Sequence, residues 1–217
     1  MYLILIYLLY LTMTQPVPVP KINISKAIAN WEAEEKNAGK KLADEEEVDL
    51  VFKVIDNLDT GINTLINCRK LSLSSNLITK IPDLNLPRLE ILSLGRNKIK
   101  KITGLTFVAD TLKQLWISYN EITSLDGVKD CVKLECLYIG NNLLASYNDL
   151  NILSNLTNLQ HAVFKGNPFA VEGGNISKPI DKQYTELIPE VKKRIPSLMT
   201  LDGELCKISD STDDQQA

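Results

Sequence analysis

The residues best suited to metal or redox chemistry in this chain are its four cysteines and its single histidine. They are Cys68, Cys131, Cys136, Cys206 and His161. Thiolates and imidazoles are the usual ligands of zinc, but structural zinc sites normally take them in close pairs such as C-x-x-C. No such pair occurs, and a zinc site would need ligands from distant parts of the chain. We therefore expect no metal and no cofactor.

A search of the sequence for a catalytic constellation is also negative. We find no paired carboxylates at a motif spacing, no nucleophile with a neighbouring base and no glycine-rich phosphate loop. His161 has no Ser, Cys or Asp partner at any motif spacing, and both Gly173–Gly174 and Asp202–Gly203 are typical of turns. The chain is predicted not to be an enzyme and to have no small-molecule substrate.

Composition narrows the remaining classes of function. The 217 residues carry a net charge of -3 and 44% hydrophobic residues, which suits one folded domain or a short solenoid. The pI near 5.3 argues against a nucleic-acid-binding protein, because such proteins present a basic face. No membrane partner is expected either.

An apolar run at residues 2–11 needs its own interpretation. As a helix it would extend about 15 Å, half of a bilayer core, so it is too short to span a membrane. It has the length of a signal-peptide core, yet no Lys or Arg precedes it and no clear cleavage site follows. Secretion, with sequons at Asn23, Asn155 and Asn175, remains one alternative. We favour a disordered leader, or a start of translation at Met13.

Five asparagines mark a repeat. They are Asn76, Asn97, Asn120, Asn142 and Asn167, separated by 21, 23, 22 and 25 residues. Apolar columns stand at fixed distances from them. Five residues before stand Leu71, Leu92, Leu115, Leu137 and Ala162; three before stand Leu73, Leu94, Ile117, Ile139 and Phe164; two after stand Ile78, Ile99, Ile122, Leu144 and Phe169.

This L-x-x-L-x-L-x-x-N-x-I pattern is the leucine-rich repeat signature. It predicts an α/β leucine-rich repeat solenoid with a parallel sheet on the concave face, short helical or 3-10 turns on the convex face and a helical C-terminal cap. Each asparagine amide is expected to satisfy backbone groups where the chain turns out of a strand. Cys68 and Cys131 fall on core positions, and the absence of terminal cysteine clusters favours a reducing compartment.

The predicted organisation has five parts. Residues 1–20 form a leader and proline-rich linker, and 21–66 an N-terminal helix, capped by Ser25, with a degenerate capping repeat. Residues 36–47 within it are expected to be a solvated loop or frayed helix. Repeats fill 67–172, the C-terminal cap 173–208 and an acidic tail 209–217. The cap is predicted to contain a helix that Pro196 ends. One face of this helix is marked by the spacing of Tyr184, Leu187, Val191 and Ile195.

The sheet face is the best candidate for a binding surface. One residue per strand lies between the two core columns and points outward; these are Ser72, Ser93, Trp116, Tyr138 and Val163. We define the sheet-face strip as Ile91, Trp116, Tyr138, Cys136 and Val163, with Arg96, Tyr119 and Asn141 at its rim. Trp and Tyr are enriched in the anchors of protein interfaces. Cross-strand packing alone is the alternative interpretation.

A second candidate is the cationic end of the cap helix, Lys192, Lys193 and Arg194. These residues could meet an acidic partner. They could equally be a solvated helix C-terminus, where cations are favoured.

Two long segments resemble one known family. LEILSLGRNKIKKITGL (89–105) and DTLKQLWISYNEITSLDGV (110–128) are similar to the leucine-rich repeat light chains of axonemal outer-arm dynein. Shorter matches are AIANWE, NCRKLSLSSNLITKI, LYIGNN, VFKGNP and KKRIPSLMTLDG, so the resemblance covers about residues 22–208. The residues 36–47 and 173–182 match least well.

The resemblance implies a non-catalytic subunit of the axoneme, in the cytoplasm and cilium or flagellum. It would bind the microtubule-binding region of a dynein heavy chain through the sheet-face strip and tune ciliary motility. Lys192, Lys193 and Arg194 would contact tubulin or the heavy chain. The alternative is another adaptor built from 22-residue repeats, such as a phosphatase regulatory subunit or a splicing-particle subunit.

Overall fold

The computed structural model describes residues 20–171 and 180–206. Its regular elements follow the chain as β1 (Ile22–Asn23), α1 (Ile24–Ala33), β2 (Glu47–Asp49), β3 (Ile55–Asn57), β4 (Lys70–Ser72), β5 (Ile91–Ser93), β6 (Gln114–Trp116), β7 (Cys136–Tyr138), β8 (His161–Val163), α2 (Ile180–Arg194), β9 (Thr200–Leu201) and β10 (Glu204–Leu205). The expectations for the leader, Asn175, the turn at Gly173–Gly174 and the acidic tail lie outside the described residues.

Eight strands form one sheet in the order β10-β9-β8-β7-β6-β5-β4-β2. Neighbouring strands are parallel except for the β9–β10 pair, which is antiparallel. In each parallel strand of this sheet the second residue points into the core, because side chains alternate between the two faces of a sheet. These core residues are paired in register and at most 1% exposed: Val48, Leu71, Leu92, Leu115, Leu137, Ala162 and Leu201. The predicted solenoid is therefore confirmed.

Most return paths on the other side of the core contain short 3-10 helices, although the path from β4 to β5, which the structure describes in full, has none. These helices span Thr60–Thr64, Thr106–Val108, Asp126–Val128, Tyr147–Asn155 and Pro168–Val171. Gly104 shows how closely these paths pack: its φ is +70°, and a Cβ on it would lie 1.9 Å from the Pro82 carbonyl oxygen. A side chain at this position would force neighbouring repeats apart.

The N-terminal helix α1 covers the first repeat, but Ser25 does not cap it. Asn23 is the N-cap, and its Oδ1 accepts a hydrogen bond from the Lys26 N–H at 2.9 Å. Ser25 already lies inside the helix because the chain leaves strand β1 at Asn23. The Ser25 hydroxyl donates instead to Asp59 Oδ1 at 2.5 Å.

The segment 36–47 is more ordered than the sequence suggested. It contains most of the 3-10 helix Glu35–Asn37 and all of the 3-10 helix Leu42–Asp44. Strand β2 begins at the last residue of the segment. Leu42 is buried, and its N–H donates to Glu32 Oε1 at 3.1 Å. Asn37 is also buried and donates to the Trp31 carbonyl at 2.8 Å. The expectation of a solvated loop was wrong because one leucine and one asparagine anchor an otherwise charged segment.

The C-terminal end of the stack is closed by α2 and β9. Leu187, Val191 and Ile195 are buried against the last repeat, and Leu201 continues the core column through β9. The helix ends at Arg194, two residues before Pro196. The side chain of Tyr184 lies outside the described part of the structure. Within residues 20–171 and 180–206, no helix combines the length and the apolar character needed to cross a bilayer.

Candidate protein-binding surface

The strand register places the residues of the sheet-face strip side by side. Trp116 pairs with Tyr138, and Tyr138 pairs with Val163, on three successive strands. Ile91 pairs with Gln114, and Cys136 pairs with both Gln114 and His161. The strip therefore crosses the middle of the sheet, as the alternation of side chains predicted.

Trp116 and Tyr138 form the aromatic centre of this strip. Their rings stack with centroids 6.0 Å apart and an interplanar angle of 17°. Trp116 is 36% exposed, while Tyr138 is half-buried. Because the two rings support each other, they present a pre-ordered apolar surface that loses little conformational freedom when a partner covers it.

The other members of the strip differ in how much surface they offer. Ile91 and Val163 are half-buried. Cys136 is only 9% exposed, because its small side chain lies between Gln114 and His161 on the neighbouring strands. Burial raises the pKa of the Cys136 thiol, with a smaller contribution from Glu135. Cys136 therefore supports the strip but offers a partner little contact area.

A row of left-handed residues forms the rim where the chain leaves each strand. We call it the rim row: Phe52, Ser75, Arg96, Tyr119, Asn141 and Gly166. Each member lies four residues after the core residue of its strand, and backbone hydrogen bonds join neighbouring repeats along the row. Examples are the Arg96 N–H to the Ser118 carbonyl and the Tyr119 N–H to the Gly140 carbonyl, both at 2.9 Å. The predicted rim residues are thus in one row.

Two features of the rim row bear on binding. The Arg96 guanidinium lies 4.4 Å from the centroid of the Tyr119 ring, and Tyr119 is 49% exposed. Phe52 is 77% exposed, and the sequence analysis missed it. The signal that marks the other repeats is absent there, because Lys53 stands at the position that Asn76 and its equivalents occupy. Only the pairing of β2 with β4 reveals the register.

The five asparagines join each repeat to the one before it. Asn120 is representative: its Oδ1 accepts from the Ile99 N–H at 3.0 Å, and its Nδ2 donates to the carbonyls of Leu94 and Ile117, both at 3.0 Å. Asn167 does the same with Leu144, Ile139 and Phe164 and is fully buried. These side chains fix the turns that carry the rim row.

The three cations at the end of α2 do not form one free patch. The Lys192 ammonium donates to the carbonyls of Pro196 and Leu198, at 3.0 and 2.9 Å. Arg194 donates to Glu190 Oε2 at 2.7 Å, and its guanidinium lies 5.4 Å from the Tyr147 ring centroid. Lys193 is the exposed one of the three. The Arg194 side chain holds the pKa of Glu190 below its usual value.

A charged row that the sequence analysis missed lies at the opposite end of the strands. Glu90 accepts hydrogen bonds from both Arg69 and Lys113, the latter at 2.9 Å. Both cations lower the pKa of the Glu90 carboxyl, and the hydrogen bond from Lys113 has the larger effect. A shallow groove of about 330 Å³ opens here. Its lining residues are Arg69, Pro87, Arg88, Glu90, Asp110, Thr111, Lys113 and Lys133.

The residues considered for metal chemistry serve the fold. Cys68 and Cys131 are fully buried, and Cys206 is nearly so. His161 Nδ1 lies 2.8 Å from Thr200 Oγ1 across the β8–β9 pair. In the portion of the chain that the structure describes, no three His, Cys, Asp or Glu side chains gather as a metal site would require.

Comparison with known proteins identifies the repeats and close relatives. A family model described as leucine-rich repeats in two copies matches residues 66–106 and 110–152. The dynein axonemal light chain 1 of Danio rerio is 40% identical over 186 residues, covering 83% of this chain and 90% of the relative. The human protein of the same name is 40% identical over 185 residues, with the same two coverages. That of Chlamydomonas reinhardtii is 40% identical over 181 residues, covering 83% and 88%.

Solved structures support the fold. The crystal structure of the LRIM1/APL1C complex matches with a TM-score of 0.51 and 24% identity. The match covers 58% of this chain and 24% of that one. At this level of identity the likeness concerns the arrangement of strands and turns.

Proposed function

The chain belongs to the dynein axonemal light chain 1 family, and we propose that it binds the microtubule-binding region of an outer-arm dynein heavy chain through the sheet-face strip. Membership makes it a non-catalytic dynein light chain of the axoneme, in cilia or flagella. Membership in an axonemal dynein family argues against the two alternatives, a secreted protein and a phosphatase or splicing adaptor.

The observation that carries the heavy-chain proposal is the stacked pair Trp116 and Tyr138 at the centre of the open sheet. Hot spots of interfaces are enriched in Trp and Tyr and lie near the interface centre, surrounded by contacts that exclude water. Ile91 and Val163 flank the pair in register, and Arg96 and Tyr119 stand at its rim. This arrangement of anchor and rim suits a polypeptide partner.

A contact with tubulin is a separate proposal. It rests on fewer of the three cations of the cap helix than the sequence suggested. Lys192 and Arg194 have partners within the fold, at Leu198 and Glu190. Of the three cations, Lys193 is therefore the residue we propose for contact with tubulin or with an acidic part of the heavy chain. A light chain held between the heavy chain and the microtubule would tune motility by altering the strength of that attachment.

The experiment that tests the heavy-chain proposal is a pull-down from salt-extracted axonemes with mass spectrometry. Immobilised wild-type protein should retain an outer-arm heavy chain, and a Trp116→Ala, Tyr138→Ala double variant should not. Phe107→Ala is the matched control, because Phe107 is a 63% exposed aromatic residue in the convex helix Thr106–Val108. Retention of the heavy chain by the double variant at the wild-type level would disprove the role of the strip.

A further inference from the structure

Phe52 is an aromatic side chain that the fold does not use. It is 77% exposed, the largest fraction among the exposed large hydrophobic residues that the structure describes. Its backbone has a φ of +57°, in the left-handed region that side chains other than glycine rarely adopt. Burial of the ring therefore cannot be the reason that a phenylalanine stands at this position.

The solenoid imposes the left-handed backbone but not the phenylalanine. All six members of the rim row are left-handed, and Gly166 occupies the equivalent position of a later repeat. Around Phe52 the turn is fixed by Asn76, whose Oδ1 accepts from the N–H groups of Lys53 and Ile55, both at 3.0 Å. Val54, with a φ of +59°, is strained as well.

The rim row links Phe52 to the second exposed aromatic residue, Tyr119. Phe52, Ser75, Arg96 and Tyr119 each lie three residues beyond the end of a strand, and these strands, β2, β4, β5 and β6, are neighbours in the sheet. Neighbouring strands lie about 4.8 Å apart, so three steps place the two aromatic residues about 15 Å apart. A single partner segment can therefore contact both rings.

The charges between the two aromatic residues define the partner further. Arg96 stacks on Tyr119, and Lys98, two residues further along the chain, is exposed. In residues 20–171 and 180–206, neither cation lies within ion-pair distance of a carboxylate. Lys53, next to Phe52, lies 3.5 Å from Glu34. A polypeptide bound along this row would thus meet apolar surface at both ends and uncompensated positive charge between them.

We infer that Phe52 is a second anchor for the heavy chain, and that one segment of the heavy chain lies along the rim row from Tyr119 to Phe52. That segment carries apolar side chains at both ends and at least one carboxylate between them, opposite Arg96. This inference rests on the proposed heavy-chain function. It extends the contact from the centre of the sheet to the N-terminal end of the solenoid.

The test uses Phe52→Gly, because glycine removes the ring and relieves the left-handed backbone at once. We expect the full-length variant to melt at the same temperature as wild type or higher. Its Kd for a recombinant microtubule-binding-region fragment of an outer-arm heavy chain should rise about tenfold. Greater stability with weaker binding is a combination that a structural role for Phe52 would not produce. Phe107→Ala is the control and should bind as wild type does.

Each other outcome overturns the inference in a distinguishable way. If Phe52→Gly binds with the wild-type Kd while Trp116→Ala binds weakly, Phe52 is not an anchor and the heavy-chain function stands. If wild-type protein does not bind the fragment, the proposed function fails and the inference fails with it. If Phe52→Gly instead abolishes a concentration-dependent dimer in sedimentation, the ring belongs to an interface between two copies of this chain.

Discussion

The rings of Trp116 and Tyr138 stack on adjacent strands with their centroids 6.0 Å apart, and both lie on the open face of the sheet. Their placement side by side follows from register, because each residue comes directly after the core leucine of its strand, Leu115 or Leu137. A repeat that fixes its core residues also fixes which side chains meet on the opposite face. The sheet-face strip is therefore a consequence of the same strand register that builds the core.

The asparagine ladder should be a major source of stability. Asn120→Ala removes four hydrogen bonds and leaves the Ile99 N–H and the carbonyls of Leu94, Ile117 and Ser118 without this partner. We expect the free energy of unfolding to fall by about 1–3 kcal/mol. Urea denaturation monitored by circular dichroism measures this change, and Asn167→Ala should behave alike.

Asn158→Ala is the control for the asparagine ladder. Asn158 is exposed and makes one side-chain hydrogen bond, from its Nδ2 to the Val132 carbonyl at 2.8 Å. Its loss should change the free energy of unfolding by no more than about 0.5 kcal/mol. Equal effects of Asn120→Ala and Asn158→Ala would contradict the role assigned to the ladder.

The buried thiols should make stability depend on alkaline pH. Burial raises the pKa of Cys68 and of Cys131 from 9.0 to about 11. The folded state thus holds these protons more tightly than the unfolded chain does. The resulting stabilisation is complete below about pH 9 and is lost as the pH rises toward 11, with about 2–3 kcal/mol at stake per thiol.

Urea denaturation at pH 8.0, 9.5 and 10.5 measures this loss, and a Cys68→Ala, Cys131→Ala double variant is the reference. The two proteins share every other titratable group, so the difference between them reports the two thiols. The wild-type free energy of unfolding should fall more steeply with pH than that of the double variant. Parallel curves would show that the two thiols are not the cause.

The cations of the cap helix should separate into structural and free residues. Lys192→Ala removes two hydrogen bonds to the carbonyls of Pro196 and Leu198, so we expect the free energy of unfolding to fall by about 0.5–1.5 kcal/mol. Lys193→Ala should change it by less than about 0.5 kcal/mol, because Lys193 is exposed. Thermal melting compares the two. A larger loss for Lys193→Ala would reverse this assignment.

The repeat itself was predictable from the sequence because two independent signals agree. The asparagines set the period, and the apolar columns set the register of each strand. Since side chains alternate in a strand, these two facts determine that Trp116 and Tyr138 are neighbours on the open face. Their stacking angle was not predictable, because it depends on rotamers that the packing of adjacent strands selects.

Other features required contacts between residues far apart in the sequence. The turn at Phe52 lacks the asparagine that marks the later repeats, so only the β2–β4 pairing reveals its place in the rim row. The burial of Cys136 depends on its larger neighbours Gln114 and His161. In each case a tertiary neighbour, and not the residue type, decides the exposure.

The affinity of Trp116→Ala for the heavy chain tests the central claim most directly. Calorimetric titration should use full-length protein and the microtubule-binding-region fragment of an outer-arm heavy chain. We expect binding to weaken by about 2–4 kcal/mol, because the indole is the exposed half of the aromatic pair. Circular dichroism should show the variant folded, and Phe107→Ala should bind as wild type does. A wild-type affinity in folded Trp116→Ala would contradict the claim that the sheet-face strip holds the heavy chain.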